Sequence, residues 1–174
     1  MYDHFLVPRI FKRMLHLFPQ VNDPFHKTDL ELVREKLKCL ELKPSEILFD
    51  LGCGDASALI EAFLIYGVRG VGYECCPEVY RLAQDKVRNH GLTDKIQLFN
   101  KDLYQADLSS ADALILYLSR SMLGKLSYKL EEELFAGVRI VTHSFDLPAW
   151  TIVRKEALQL SSGHIEEIFL YRQS

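Results

Sequence analysis

The sequence predicts an α/β fold: a mostly parallel, seven-stranded sheet with helices on both faces and an antiparallel hairpin at its C-terminal end. Three observations carry this. Short apolar runs alternate with stretches of helical period from residue 28 onward. Asp112 to Leu118 (DALILYL) is apolar enough to be buried on both faces, as parallel strands are. The final two strand-like runs are joined by Ser-Ser-Gly at 161–163, a hairpin signal. The 174 residues are 48% hydrophobic and 26% charged, a mix that fills one domain with a real core and excludes a mainly disordered chain.

In order along the chain, residues 1–28 read as a helical arm. Pro8 suits a first helical turn, and Ile10, Phe11, Met14, Leu15 and Phe18 share one face. That face lies on its own domain, or else on a membrane surface or partner. The domain proper spans 29–174. Thr28 or Asp29 caps a helix whose stripe is Leu30, Val33, Leu37 and Leu40, ended by Pro44. Glu46 to Leu51 is a strand. Ala56 to Tyr66 is a helix with Leu59, Ile60, Phe63 and Leu64 apolar. Arg69 to Glu74 is the second strand. Pro77 starts a helix that stops at Gly91, with stripe Val79, Leu82, Ala83 and Val87. Lys95 to Phe99 is the third strand and Asp112 to Leu118 the fourth. A helix follows through Leu123, Leu126, Leu130 and Leu134. Val138 to His143 is the fifth strand. Trp150 to Leu160 and His164 to Arg172 form the hairpin.

Charge and cysteine use narrow the function. Lys plus Arg is 21 and Asp plus Glu is 24, a net charge of −3, which disfavours a nucleic-acid partner held by charge. Cys39, Cys53, Cys75 and Cys76 form no Cys-x-x-Cys pair, so free thiols in a reducing cytoplasm are expected. No stretch approaches the roughly 18 apolar residues that span a bilayer. The histidines show no ligand spacing, so no metal is expected.

The chemistry concentrates where the first strand ends, in Asp50-Leu51-Gly52-Cys53-Gly54-Asp55. Glycines let the backbone bend sharply and approach a ligand. Glu74 closes the second strand about 20 residues on, the spacing at which an acid meets ribose hydroxyls in nucleotide-binding βαβ units. A nicotinamide dinucleotide wants a third glycine, where Ser57 stands, and its pyrophosphate is repelled by Asp50 and Asp55. S-adenosylmethionine, with an ammonium, a sulfonium and no phosphate, fits an acid-lined turn better.

These motifs resemble those of class I S-adenosylmethionine-dependent methyltransferases. ILFDLGCGD is similar to their first motif and VGYE to their ribose-binding motif, and Asn100-Lys101-Asp102-Leu103 falls where the family reads the adenine amine. Within that class, Lys129 to Leu134 (KLEEEL), Gly137 to Phe145 (GVRIVTHSF) and Trp150 resemble the small archaeal and mitochondrial-type protein-lysine methyltransferases. The resemblance implies the Rossmann-like methyltransferase fold, S-adenosylmethionine as cofactor, and a protein substrate presenting lysine side chains. It implies cofactor contacts at Thr28, Asp50, Gly52, Cys53, Gly54, Glu74, Cys75, Asp102 and Leu103, with Tyr117 as the catalytic candidate. Two departures stand out. Ala56-Ser57 replaces a Gly-Arg pair, a small steric change and a lost ion pair. His26-Lys27-Thr28-Asp29 replaces a proline-rich segment of which only Thr28 is kept.

The expected activity is protein-lysine N-methylation. The alternatives are a methyltransferase for a small molecule or RNA, and a non-catalytic cofactor-binding module. Tyr117-Leu118-Ser119-Arg120 at the fourth strand's end lacks the Asp/Asn-Pro-Pro-Tyr/Phe run of enzymes acting on base amines or glutamine amides. Tyr117 orients an amine by its hydroxyl or ring face, or packs beneath a helix. His143 is a structural hydrogen-bonding residue or a proton acceptor. Trp150 walls the substrate entrance or packs in the core.

Overall fold

The computed structural model describes residues 28–174; the expected helix on Ile10 to Phe18 lies outside them. Helix α1 spans Leu30–Cys39, followed by β1 (Ile47–Leu51), α2 (Ser57–Tyr66), β2 (Arg69–Tyr73), α3 (Pro77–Asn89) and β3 (Ile96–Phe99). A 3-10 turn over Leu103–Gln105 leads to β4 (Ala113–Leu116), α4 (Arg120–Glu133), β5 (Arg139–His143), β6 (Arg154–Gln159) and β7 (Ile165–Arg172). One seven-stranded sheet runs β3-β2-β1-β4-β5-β7-β6, with β1 to β5 parallel and β7 antiparallel to both neighbours. The strand order reverses at β1, so the ends of β1, β2 and β4 meet where open α/β sheets take ligands.

Strand alternation builds two cores, one per face. Leu48, Ala113, Ile115, Val141 and Ile168 face α1 and α2 along with Leu37, Leu40, Leu59 and Ile60. Phe49, Leu51, Leu114, Leu116, Ile140, Phe169 and Tyr171 face α4 with Leu123, Leu126 and Leu130. All four β4 residues are buried, as a central parallel strand requires.

The helices differ from the expected stripes in instructive ways. Asp29 caps α1, its side chain accepting from the Glu31 amide at 2.8 Å. The buried face of α1 is Leu32, Val33, Lys36, Leu37 and Cys39, while Leu30 is exposed. The stripe is rotated toward Lys36, whose head group reaches the sheet. The helix also ends at Cys39, ahead of Pro44, with Glu41 at φ 50° beginning the turn. Leu64 and Leu82 are exposed as well; each lies on the flank of a helix that buries only one narrow face. Trp150 precedes β6 rather than starting it, because Ala149 turns the chain at φ 66°.

At the sheet's other end Arg139 ties elements together. Its side chain, 12% exposed, donates to the carbonyls of Leu40 (2.7 Å) and Glu41 (3.2 Å) and pairs with Glu46 at 2.7 Å. A cavity of about 440 Å³ beside it is lined by Glu46, Asp112, Arg139 and Arg172 among others, away from the glycine turn. Among the described residues no helix is long and apolar enough to cross a membrane.

Candidate active site

The chain leaves β1 through two left-handed glycines, Gly52 at φ 86° and Gly54 at φ 54°. The Gly52 and Cys53 amides both donate to the Tyr73 carbonyl, at 2.8 and 2.9 Å, folding the turn across the end of β2. Ala56 then adopts φ 60° and opens α2 without a side-chain cap. The alanine is therefore a larger departure than its single methyl suggests, since a left-handed L-residue costs about 1 kcal/mol. Asp55 accepts from the Ser57 amide (3.1 Å) and from Lys86 Nζ (2.8 Å). Burial opposes the Asp55 charge, but these bonds outweigh it and hold its pKa below the ordinary range. Lys86, from α3, thus gives the turn a cation that the residue at 57 does not.

Glu74 lies against this bend. Its Oε2 accepts from the Gly54 amide at 3.1 Å and its Oε1 from the Cys76 amide at 2.8 Å. The carboxylate is a brace between the β1 and β2 turns, and its burial raises its pKa. Asn100 stiffens the same place, donating to the carbonyls of Glu74 (2.8 Å) and Cys75 (3.2 Å). Cys53 is buried and its thiol pKa pushed up by burial, while Cys75 is exposed with its thiol pushed up to about 11 by desolvation and the Glu74 charge. Asp102 and Leu103 follow β3 one strand further out. Asp102 accepts from the Tyr104 amide at 3.0 Å to cap the short 3-10 turn, and Leu103 is buried. Thr28 is half-buried just ahead of the α1 cap.

The second half of the site is a polar row on the α1 face. Alternation from Leu48, Ile115 and Val141 places Asp50, Tyr117 and His143 on that face at the carboxyl ends of β1, β4 and β5. Asp50 is 7% exposed. Among the described residues nothing donates a hydrogen bond to its carboxylate, and burial pushes its pKa up to about 7 against the attraction of Lys36. Lys36 reaches the row from α1. Its ammonium donates to the Leu116 carbonyl at 2.9 Å and lies 2.9 Å from His143 Nδ1. Burial lowers Lys36 to about 7, with Asp50 and Glu166 opposing the shift. His143 is driven down to about 2 by burial and by the Lys36 charge. It is thus a neutral hydrogen-bonding histidine and a poor proton acceptor. Tyr117, 38% exposed, stacks on the His143 ring with centroids 4.0 Å apart.

Trp150 packs edge-on to Tyr171 at 6.5 Å and donates from Nε1 to the Ser127 carbonyl at 3.4 Å. Glu131, Glu132 and Glu133 are exposed. Sequence reading missed Lys36, hidden as one more charge on an amphipathic helix, and Lys86. The only signal for Lys36 was its place beside Leu32, Val33 and Leu37 on the buried arc. All four cysteines are unbridged, and among the described residues no group of three or more His, Cys, Asp or Glu could hold a metal.

A reversed strand order with an acid-flanked glycine turn and a braced glutamate defines the class: an S-adenosylmethionine-dependent methyltransferase of class I. Solved structures agree. The chain superposes on an RNA methyltransferase from Salinibacter ruber in complex with S-adenosyl-L-homocysteine, with a TM-score of 0.79 and 31% identity over 84% of this chain and 93% of that one. The chain belongs to the family of the ANTKMT methyltransferase domain, whose model matches residues 50–154. It is 29% identical over 150 residues to a protein-lysine N-methyltransferase of Saccharolobus islandicus, covering 85% of this chain and 92% of that protein. It is 30% identical over 128 residues to the mouse adenine nucleotide translocase lysine N-methyltransferase, covering 73% of this chain and 55% of that protein.

Proposed function

We propose that this methyltransferase acts on lysine side chains of a protein substrate in the cytoplasm. The observation that carries its cofactor end is Asp50, a buried carboxylate that receives no hydrogen bond among the described residues, beside two left-handed glycines. Such a group is costly unless a cation meets it, and the ammonium of S-adenosylmethionine supplies one. Glu74 would hold the ribose, the Gly52-Cys53-Gly54 backbone would line the donor's site, and Thr28, Cys75, Asp102 and Leu103 would complete the contacts. When bound, the sulfonium offers an activated methyl: the acceptor nitrogen forms the N–C bond as the C–S bond breaks, and its electrons stay on sulfur. The protein's task is then alignment and exclusion of water.

Tyr117 is the catalytic candidate. Its ring, fixed on His143, presents a π-face and a hydroxyl at the end of β4, both suited to an amine. His143 stays neutral and is a poor acceptor for the amine's proton. Its relatives among protein-lysine methyltransferases support this acceptor, and four free thiols support a reducing compartment. A second reading, methylation of RNA, is favoured by the Salinibacter ruber relative and disfavoured by the net charge of −3. Cell extract labelled with radioactive S-adenosylmethionine separates the two. Label should survive nuclease, vanish with protease, and appear as methyllysine after acid hydrolysis. Label that nuclease removes and protease spares refutes the lysine assignment.

A further inference from the structure

Lys36 is the most unusual group in the domain. It is a lysine 2% exposed on a helix whose other buried residues are apolar, and among the described residues no carboxylate lies within ion-pairing distance of it. Burying an ammonium without a paired anion is costly, so its two contacts matter. One is the Leu116 carbonyl, which belongs to the peptide that leads into Tyr117. The other is Nδ1 of His143, whose ring lies under Tyr117. The ammonium therefore grips Tyr117 from two sides, through its own backbone and through the ring on which it rests.

We propose that Lys36 is the positioning residue for Tyr117: its donors fix the Leu116–Tyr117 peptide and lock His143 in the tautomer that carries its proton on Nε2. Lys36 keeps enough N–H donors for both partners whether charged or neutral. Held as an acceptor, Nδ1 cannot carry the proton, so the ring has one orientation and one charge state. Asp50 from β1 and Glu166 from β7 are the acidic groups that influence Lys36 from the sheet; Glu166 is itself engaged by the Ser144 hydroxyl at 2.7 Å. The inference rests on Tyr117 facing the acceptor, as proposed above.

The test uses Lys36→Met, His143→Gln, their double variant and Tyr117→Ala in the full chain. Methionine matches the length of the lysine stem without its donors. Lys36→Met should lower kcat on the order of tenfold, as small misplacements of a reacting pair do. The double variant should lose less than the two singles combined, since part of the Lys36 effect passes through His143. In the ¹⁵N spectrum His143 should show only the Nε2-protonated form in the parent from pH 5.5 to 8.5, and a tautomer mixture in Lys36→Met. Additive losses, a mixed tautomer in the parent, or an unchanged kcat in Lys36→Met alongside a low kcat in Tyr117→Ala overturns the inference. An unchanged kcat in Tyr117→Ala instead overturns the placement of the acceptor at Tyr117. Should Lys36→Met fail to fold, the parent tautomer still decides, and an unchanged kcat in His143→Gln overturns the inference.

Discussion

Replacing Glu74 by glutamine separates bracing from binding. The carboxylate receives two backbone amides, Gly54 at 3.1 Å and Cys76 at 2.8 Å, and is 9% exposed. Glutamine keeps the shape and one acceptor oxygen, but turns an NH2 toward the other amide. One charge-assisted bond is lost, worth about 1.5–3 kcal/mol. Burial raises the pKa of Glu74, so the neutral amide also escapes part of the cost of a buried charge. The net loss should fall near about 2 kcal/mol, or roughly 4–8 °C in Tm for a domain of this size. Binding should suffer separately, because the ribose loses its charged acceptor: S-adenosylhomocysteine should bind at least about tenfold more weakly. Thermal melts and calorimetry on the same preparation read both. Wild-type affinity in a folded Glu74→Gln variant would show that the ribose lies elsewhere. An unchanged Tm would show that the brace contributes nothing.

Other outcomes follow from the same geometry. A methyl group on Gly72 would come within 2.8 Å of Cys53 Sγ and Leu98 Cδ2 and 2.9 Å of Leu59 Cδ1, so Gly72→Ala should cost about 1–3 kcal/mol in urea melts; a neutral result would mean the turn shifts freely. Asp50 sits at about 7 without ligand, and a cation bound beside it favours its ionised form. Binding of S-adenosylhomocysteine at pH 6 should therefore release protons and weaken below pH 7, and Asp50→Asn should abolish both effects. Calorimetry in buffers of different ionisation enthalpy reads this, and proton uptake would contradict it. Arg139→Lys removes the fork that spans Leu40, Glu41 and Glu46; a stability loss of about 2 kcal/mol is expected, and an unchanged denaturation midpoint would count against the clamp.

Much of this architecture was legible beforehand because its signals are local. The alternation of apolar runs located all seven strands, and the Gly-x-Gly turn with Glu74 located the junction of β1 and β2. Asp29, Pro77 and Gly91 marked helix boundaries by their own backbone chemistry. What escaped is non-local. Leu30, Leu64 and Leu82 fit an amphipathic stripe yet face water, because the neighbouring sheet decides how wide a helix face is buried. Lys36 reads as a surface charge until β4 and β5 are laid beneath it. His143 and Tyr117 are 26 residues apart in sequence, and only the pairing of β4 with β5 brings their rings together.

The position of β7 has a consequence for how the molecule is made. This strand is translated after the other six, yet it lies between β5 and β6 rather than at a rim. Until it emerges from the ribosome, the open side of β5, with His143 at its tip, has no neighbour. The four strands β1 to β4 precede it in the chain, but β5, which carries His143 under Tyr117, gains its second neighbour only with this last strand.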